Sequence, residues 1–366
     1  MMHIGIDARL NYYRVGGIST YTHRIIQALE AIDTEDQYTI FHSRKAGASL
    51  TQAFQRANLW TPCHHRLERI TLSVELLRYR LDILHSPDFI PPLRGAKYHI
   101  ITVHDLNFLH YPQFLTPESF RYYNGQIKQA VTQADHIFAD SEATKQDIID
   151  MLNVPAEKIT THKLGVDEHF RPLPAEILEQ HRATLNLPPE YFLFVGTFEP
   201  RKNIVGLLEA YQQLIAEFPD APPLVLAGNR GWNFDEMMTR VVAMDLSSHI
   251  LWRESIAYDA LPALYNMAIA LITPSFYEGF GLPALEAMAC GTVPIVSNRS
   301  SLPEVVGDVG LQINPDDPTT IANAMRQAMS DSQWRATMQQ AGLRRARQFT
   351  WSQTAQVILS VYRQFK

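Results

Sequence analysis

The residues best suited to chemistry in this 366-residue chain are carboxylates, cations and glycines in a few short segments. The richest reads Pro274-Ser275-Phe276-Tyr277-Glu278-Gly279-Phe280-Gly281-Leu282-Pro283 and continues through Glu286 to Gly291. With Glu278 in a loop and Glu286 on the helix that follows, the two carboxylates can touch different parts of one extended ligand. By spacing alone, a glutamate pair at i and i+8 on one helix is better read as a charged face. The neighbours change that balance, because Glu286 sits in the apolar stretch 285–290, where a charge is costly unless paired or bound.

Upstream, Val195-Gly196-Thr197-Phe198-Glu199-Pro200-Arg201-Lys202-Asn203 follows an apolar run and precedes a helical pattern. Arg201 offers a planar fork of donors and Lys202 a point charge, a combination that suits a diphosphate. A solvated pair of cations is the plain alternative, but cations at a helix start oppose the macrodipole, and that cost asks for a ligand. In the first half, Thr102-Val103-His104-Asp105 ends an apolar run that reads as the fourth strand. His104 there can donate to a sugar hydroxyl or move a proton, or it can simply hold its loop. Gly16-Gly17, before another helical pattern, lets a backbone approach a phosphate, although a bare glycine pair is more often a turn.

Elements with the rhythm of βαβ units must position these residues. Candidate strands in the first half are Ile4-Gly5-Ile6, Tyr38-Thr39-Ile40-Phe41, Ile83-Leu84-His85, His99-Ile100-Ile101-Thr102-Val103 and His136-Ile137-Phe138-Ala139. The second half repeats the pattern with runs at 191–195, 224–227, 250–252, 270–272 and 293–296. Helix starts are expected after Gly17, at Thr116-Pro117 and at Ser141, whose hydroxyl can cap the next turn. Phe170-Arg171-Pro172-Leu173-Pro174 reads as a linker. The expected fold is therefore α/β with two Rossmann-like domains of parallel strands, 1–170 and 171–347, facing a cleft, followed by a C-terminal segment 348–366. Ligand-binding residues are expected at the C-terminal ends of the strands.

Composition narrows the function. The chain is 46% hydrophobic and 19% charged, which suits globular cores, and its net charge of −6 gives no general attraction for nucleic acid. Two cysteines, Cys63 and Cys290, make neither a disulfide framework nor a zinc pattern, and no Asp-x-Asp metal signature is present. The start carries no signal-peptide pattern and no apolar run approaches the roughly 20 residues that span a bilayer, so a cytoplasmic location is expected. The stretch 66–80 alternates cations with apolar residues. A solvated helix face is its favoured reading, and peripheral contact with the inner face of a membrane the second.

Taken together, Gly16-Gly17-Ile18-Ser19, His104-Asp105, the Ser141 segment, Leu164-Gly165-Val166-Asp167, Arg201-Lys202-Asn203, Glu278-Gly279-Phe280-Gly281-Leu282-Pro283 with Glu286, and Leu302-Pro303-Glu304-Val305 resemble the retaining GT-B glycosyltransferases of family 4 over nearly the whole chain. The resemblance implies that Arg201 and Lys202 hold the diphosphate of a nucleotide-sugar donor and that Glu286 binds its ribose. It also implies that Glu278 contacts the sugar hydroxyls, that Gly16 and Gly17 approach the phosphates or sugar, and that His104 lines the sugar's reactive side. Gly279, Phe280, Gly281 and Leu282 would line the donor, the amides after Gly281 adding phosphate donors, and residues 251–255 would hold the base partly through backbone groups. It further implies transfer without a metal or other cofactor and with retention, the leaving phosphate taking the acceptor's proton. The Asp7-Ala8-Arg9 opening is similar to mannosyltransferase-like members, so GDP-mannose is the first expected donor, a UDP-sugar the second, and a saccharide or lipid-linked molecule the acceptor. An epimerase or phosphorylase of the same architecture lacks its signature residues here, as does a dehydrogenase, which would want Gly-x-Gly-x-x-Gly after a strand. A non-catalytic sugar-nucleotide-binding protein is the alternative of a different class.

Overall fold

The computed structural model describes residues 1–13, 16–65, 67–231 and 234–366, with the backbone alone at 117–119. Val15 of the glycine turn and Arg66 of the basic stretch lie outside the described residues, as do the side chains of the expected helix start at 117–119. By contacts the chain divides into two compact units, Met1–Gly165 with Thr350–Lys366, and Val166–Phe349.

The first unit is built on seven parallel strands: β1 His3–Asp7, β2 Gln37–Ser43, β3 Gln55–Leu59, β4 Leu81–Ser86, β5 Ala96–Val103, β6 His136–Ala139 and β7 Ile159–Thr161, ordered β3-β2-β1-β4-β5-β6-β7. The second has six parallel strands: β8 Phe192–Val195, β9 Leu224–Ala227, β10 Ile250–Arg253, β11 Ala270–Thr273, β12 Val293–Ser297 and β13 Leu311–Ile313, ordered β10-β9-β8-β11-β12-β13. Each expected strand is present. The three that sequence reading missed, β3, β7 and β13, are all edge strands. An edge strand need not be apolar on both faces, and β3 reads Gln-Arg-Ala-Asn-Leu with only Ala57 and Leu59 buried. Because of β3, the strand ending at Val103 is the fifth and not the fourth.

Both sheets reverse direction at their first strand: neighbours lie outward to β2 and inward to β4 around β1, and to β9 and β11 around β8. In open parallel sheets that reversal leaves a crevice beyond the carboxyl ends of the two central strands. The helices are held against the sheets by ordinary amphipathic logic. Helix Ile204–Glu217 buries Ile204, Leu207, Leu208, Ala210, Tyr211 and Leu214, and each large side chain so buried contributes roughly 1.5–3 kcal/mol over leaving it in water. Its start is set by Asn203, whose Oδ1 accepts from the Gly206 amide at 3.2 Å. The expected Ser141 cap is present, its Oγ accepting from the Thr144 amide at 3.1 Å. The final helix, Trp351–Tyr362, belongs to the first unit, where it packs on helix Gly17–Ile32. Tyr362 meets His85 Nδ1 through its hydroxyl at 2.6 Å.

Candidate active site

In the second unit the two central strands, β8 and β11, deliver the charged residues. Beyond β8 the chain turns through Gly196 into a short 3-10 turn, Pro200–Lys202, and then into helix Ile204–Glu217. Beyond β11 comes the loop 274–281 and helix Leu282–Ala289. The Phe276 amide donates to the Arg201 carbonyl at 2.8 Å, and Asn203 Nδ2 donates to the Pro274 and Pro315 carbonyls at 3.2 and 2.7 Å, so the two loops are pinned together.

Arg201 and Lys202 are not the solvated pair of the plain alternative. Lys202 is buried and its Nζ donates to Glu278 Oε1 at 2.6 Å, while Arg201 Nη1 donates to Glu278 Oε2 at 3.0 Å and its Nε to Glu199 Oε2 at 2.8 Å. Ser275 Oγ adds a third donor to Glu278 Oε1 at 2.6 Å. Burial works against the Glu278 carboxylate, but Lys202, Arg201 and Ser275 outweigh it and hold its pKa down to about 2. Burial and the neighbouring Arg201 pull the Lys202 ammonium below the ordinary lysine range, with Glu278 opposing them. Two cations face two carboxylates, Glu278 and Glu199, so the cluster is balanced as it stands, and an anion bound there would have to compete with these carboxylates for Arg201 and Lys202.

The loop also presents backbone donors. The Glu278 amide is spent on Ser300 Oγ at 2.9 Å, and Ser301 Oγ braces the loop by donating to the Glu278 or Phe280 carbonyl, each 2.8 Å away. Gly281, at φ +105, sits in the left-handed region that favours glycine, and an added Cβ would lie 2.6 Å from Leu302 Cδ2. It caps helix Leu282–Ala289 without a side-chain acceptor. A helix start such as that of Leu282–Ala289 leaves its first amides without intrahelical acceptors, which is where an anion is favoured.

Glu286 lies on that helix, as expected, with its Oε2 accepting from Tyr265 Oη at 2.7 Å. Burial raises its pKa to about 7, helped by the charge of Asp167 and opposed by the tyrosine hydrogen bond. It is a carboxyl whose charge is poised to respond to a ligand. Residues 251–253 lie on β10, the edge strand paired only with β9, and Ser255 turns at φ +57.

In the first unit Gly16 precedes helix Gly17–Ile32, and a Cβ added to Gly16 or Gly17 would meet nothing within 4 Å. Among the described residues packing does not explain the glycine pair, although the backbone of Gly16, at φ +157, itself favours glycine. For His104 the expectation of proton transfer needs correction. Both ring nitrogens are occupied, Nδ1 at 2.7 Å from Asp140 Oδ2 and Nε2 at 2.7 Å from the Pro87 carbonyl. Two acceptors require two N–H donors, so the ring is a held imidazolium. Burial disfavours that cation, but Asp140 overrides it and, with the Pro87 carbonyl, raises the pKa to about 9. Asp105 likewise serves its loop, accepting from the Asn107 amide at 3.0 Å.

Sequence reasoning missed Asp140, Tyr265 and the serines Ser275, Ser300 and Ser301. Asp140 directly follows β6 and was open to the strand-end rule. Tyr265 and Ser300 carry no local signal, because they act only through residues far away in sequence.

Models of the families Glycosyltransferase Family 4 and Glycosyl transferases group 1 match residues 15–170 and 177–345. The chain is 32% identical over 369 residues to O-antigen chain mannosyltransferase B of Escherichia coli, covering 96% of this chain and 97% of that one. It is 31% identical to the serotype-specific mannosyltransferase WbdA of Escherichia coli over 71% of this chain and 32% of that one. Its fold matches sucrose-phosphate synthase from Thermosynechococcus elongatus with a TM-score of 0.80, 22% identity, and coverage of 100% and 99%. Two parallel-sheet α/β units of the GT-B type, the matched family models and the full-length relative make this chain a member of the group 1 and family 4 glycosyltransferases, a hexosyltransferase.

Proposed function

We propose that the protein transfers a hexose, mannose before others, from a nucleoside-diphosphate sugar to a saccharide or lipid-linked acceptor with retention of configuration. One observation carries the donor assignment: Arg201 and Lys202, which follow β8, meet on Glu278, which follows β11, at the reversal point of the second sheet. In this reading an incoming diphosphate exchanges with Glu278 and Glu199 for the donors of Arg201 and Lys202, which then stabilise the charge that develops on the leaving nucleoside diphosphate. This reading gives Glu286 the ribose diol and Glu278 the sugar hydroxyls. His104 serves as a fixed cation. In this reading side chains and amides, without a metal, stabilise the leaving group, and the leaving phosphate oxygen takes the acceptor's proton.

The mannosyltransferase names of both relatives favour GDP-mannose, with a UDP-sugar as the alternative donor. A lipid-linked acceptor at the cytoplasmic face of a membrane is favoured by helix Glu68–Leu76, whose flank leaves Leu67, Ile70, Val74 and Leu77 more than half exposed. Among the described residues, no helix is long and apolar enough to cross a membrane.

The test is a thermal-shift and nucleotide-release screen with GDP-mannose, UDP-glucose, UDP-galactose and UDP-N-acetylglucosamine, with and without EDTA. One donor should stabilise the protein regardless of EDTA, and Lys202→Ala should cut turnover while the protein stays folded. Silence towards every nucleotide sugar and free nucleoside diphosphate would refute the donor site and favour a scaffold or a degenerate site. Stabilisation lost with EDTA would refute the metal-independent scheme.

A further inference from the structure

Next to His104 the first unit buries a row of polar side chains that runs from the final helix to the end of β6. Tyr362 Oη lies 2.6 Å from His85 Nδ1, His85 Nε2 2.8 Å from Thr102 Oγ1, Thr102 Oγ1 3.0 Å from Tyr21 Oη, and Tyr21 Oη 2.8 Å from His162 Nε2. His162 Nδ1 closes the row on the Ala139 carbonyl at 3.2 Å. These five contacts share five hydrogens when both rings are neutral. Burial keeps them so, pulling His85 down to about 3 and His162 below the ordinary histidine range. Only one arrangement then puts a hydrogen in every contact. The Ala139 carbonyl requires the proton on His162 Nδ1, so Nε2 accepts from the Tyr21 hydroxyl, Tyr21 accepts from Thr102, Thr102 from His85 Nε2, and His85 Nδ1 from Tyr362.

The row ends beside Asp140, and its last member is a rival for that carboxylate. Asp140 is buried, its Oδ2 takes His104 Nδ1 at 2.7 Å, and its Oδ1 has no hydrogen-bond partner. His162 Nδ1 stands 3.7 Å from that oxygen, too far to bond. A buried carboxylate oxygen beside an N–H ordinarily takes it, because a bond to a charged acceptor is stronger than one to a carbonyl. His162 is held off by its other nitrogen. Tyr21 comes from helix Gly17–Ile32, is wholly buried and packs edge-to-face on His104 with ring centres 4.9 Å apart, so its hydroxyl is a fixed anchor for Nε2. Phe138 stacks on the His162 ring with centres 5.1 Å apart, a contact that permits sliding, so the tether decides where the ring stops. The charges that face His104 are then Asp140 and, to a smaller degree, Asp88, while His85 and His162 stay neutral.

We propose that Tyr21 is a positioning residue for His104: by tethering His162 through Nε2 it keeps that ring off Asp140, and the undivided carboxylate holds His104 as the imidazolium. Without the tyrosine hydroxyl, His162 is free to close the 3.7 Å gap and donate Nδ1–H to Asp140 Oδ1. A carboxylate that accepts a second hydrogen bond holds the proton of its first partner less tightly. That the His104 cation serves sugar transfer rests on the glycosyltransferase reading above. The tether itself does not, because every member of the row belongs to the first unit.

The experiment is a histidine-selective NMR titration of the full chain, with kcat and KM measured over the same pH range. The wild type should show His85 as the Nε2–H tautomer, His162 as the Nδ1–H tautomer and His104 titrating at about 9. Tyr21→Phe removes one oxygen and keeps the ring. In that variant the proton affinity of His104 should fall about tenfold, roughly the worth of one hydrogen bond to a charged group, and the alkaline limb of kcat should move down by about one pH unit with the donor KM within about twofold. Tyr362→Phe takes a hydroxyl from the far end of the same row, so it should cost comparable stability and leave the His104 proton affinity within about twofold of the wild type. Combining Tyr21→Phe with His162→Phe removes the rival together with its tether, and His104 should return to its wild-type value. The opposite tautomer at His162, an unmoved His104 in Tyr21→Phe, an equal fall in Tyr362→Phe, or a fall that the double variant does not reverse overturns the proposal. A shifted His104 with an unchanged kcat limb upholds the tether and sinks the role of His104 in transfer.

Discussion

Replacing Glu286 with glutamine should make the protein more stable at alkaline pH and remove a pH dependence of donor binding. The Glu286 carboxyl rises from an ordinary 4.5 to about 7, because its charged form is buried and faces Asp167. A raised carboxyl means that the folded state holds a proton the unfolded chain has released. The stabilisation is complete below about pH 4.5, falls as pH rises, and is lost above about pH 7. At about 1.4 kcal/mol for each tenfold change in proton affinity, the wild type loses up to about 3 kcal/mol across that window. Glutamine preserves the shape and still accepts from Tyr265 Oη, but it cannot ionise. Relative to its own value at pH 5, the Glu286→Gln variant should therefore gain on the wild type by up to about 3 kcal/mol at pH 8, or roughly 6–10 °C in melting temperature for a unit of this size. Binding of a nucleoside diphosphate runs the other way in the wild type. A ribose diol donates hydrogen bonds and needs the carboxylate, so affinity should rise with pH up to about 7 and then level off, whereas in the variant it should be weak and flat. Thermal unfolding and calorimetric titration of both proteins between pH 5 and 8 supply the data. Parallel melting curves across the range would refute the burial argument, and parallel affinity curves would remove Glu286 from the ribose.

Three further outcomes follow from the same geometry. Glu278→Gln leaves Lys202 buried without a carboxylate partner and should cost about 3–5 kcal/mol, and a nucleoside diphosphate should raise its melting temperature more than that of the wild type, because phosphate replaces the missing charge. In Asp140→Asn, His104 loses the charge that raises its pKa to about 9, and an NMR titration should find it near 6.5 or lower; the lost stability should be full below about pH 6.5 and vanish as pH rises through about 9. Gly165→Ala would place a Cβ 2.2 Å from the Trp351 amide nitrogen, backbone against backbone, so it should destabilise the first unit by about 3 kcal/mol. Limited proteolysis should then cut first before the final helix.

Much of this arrangement was legible in the chain itself, for reasons that can be named. Strands buried on both faces write themselves as apolar runs, so the central strands of both sheets could be read directly. The edge strands β3, β7 and β13 could not, because half of each faces away from the core. Glu286 stood out because a charge inside apolar sequence demands a partner, and Arg201 and Lys202 because cations at a helix start ask for a ligand, yet that Lys202 pairs with Glu278 across 76 positions is a fact of folding alone. The cluster around Arg9 was invisible for the same reason: Asp7 and Glu68 are ordinary acids in sequence, and only the fold brings both onto the Arg9 guanidinium. His104 was visible by position, but its state was not, since Asp140 and Pro87 decide it.

Helix Glu68–Leu76 carries one more consequence of that cluster. Glu68 must face inward to meet Arg9, and Leu72 and Leu76 follow it onto the core. With that face fixed, the helical period places Leu67, Ile70, Val74 and Leu77 on the outside, at 54%, 55%, 66% and 61% exposed. No demand of the core makes these positions apolar. Leu93 extends the stripe, its amide bonded to the Arg69 carbonyl, and exposed Arg78, Arg80, Arg94 and Lys97 lie along the same stretches of chain. An apolar ridge with basic neighbours suits an anionic lipid surface, even though the whole chain carries −6. Ile70→Asp with Val74→Asp tests this without touching the core. The double variant should unfold within about 1 kcal/mol of the wild type, since each change is at the surface. It should no longer sediment with vesicles containing anionic phospholipid, which the wild type should bind in preference to neutral vesicles and release as salt rises. Equal sedimentation of the two proteins would return the stripe to the solvated face that its alternating charges first suggested.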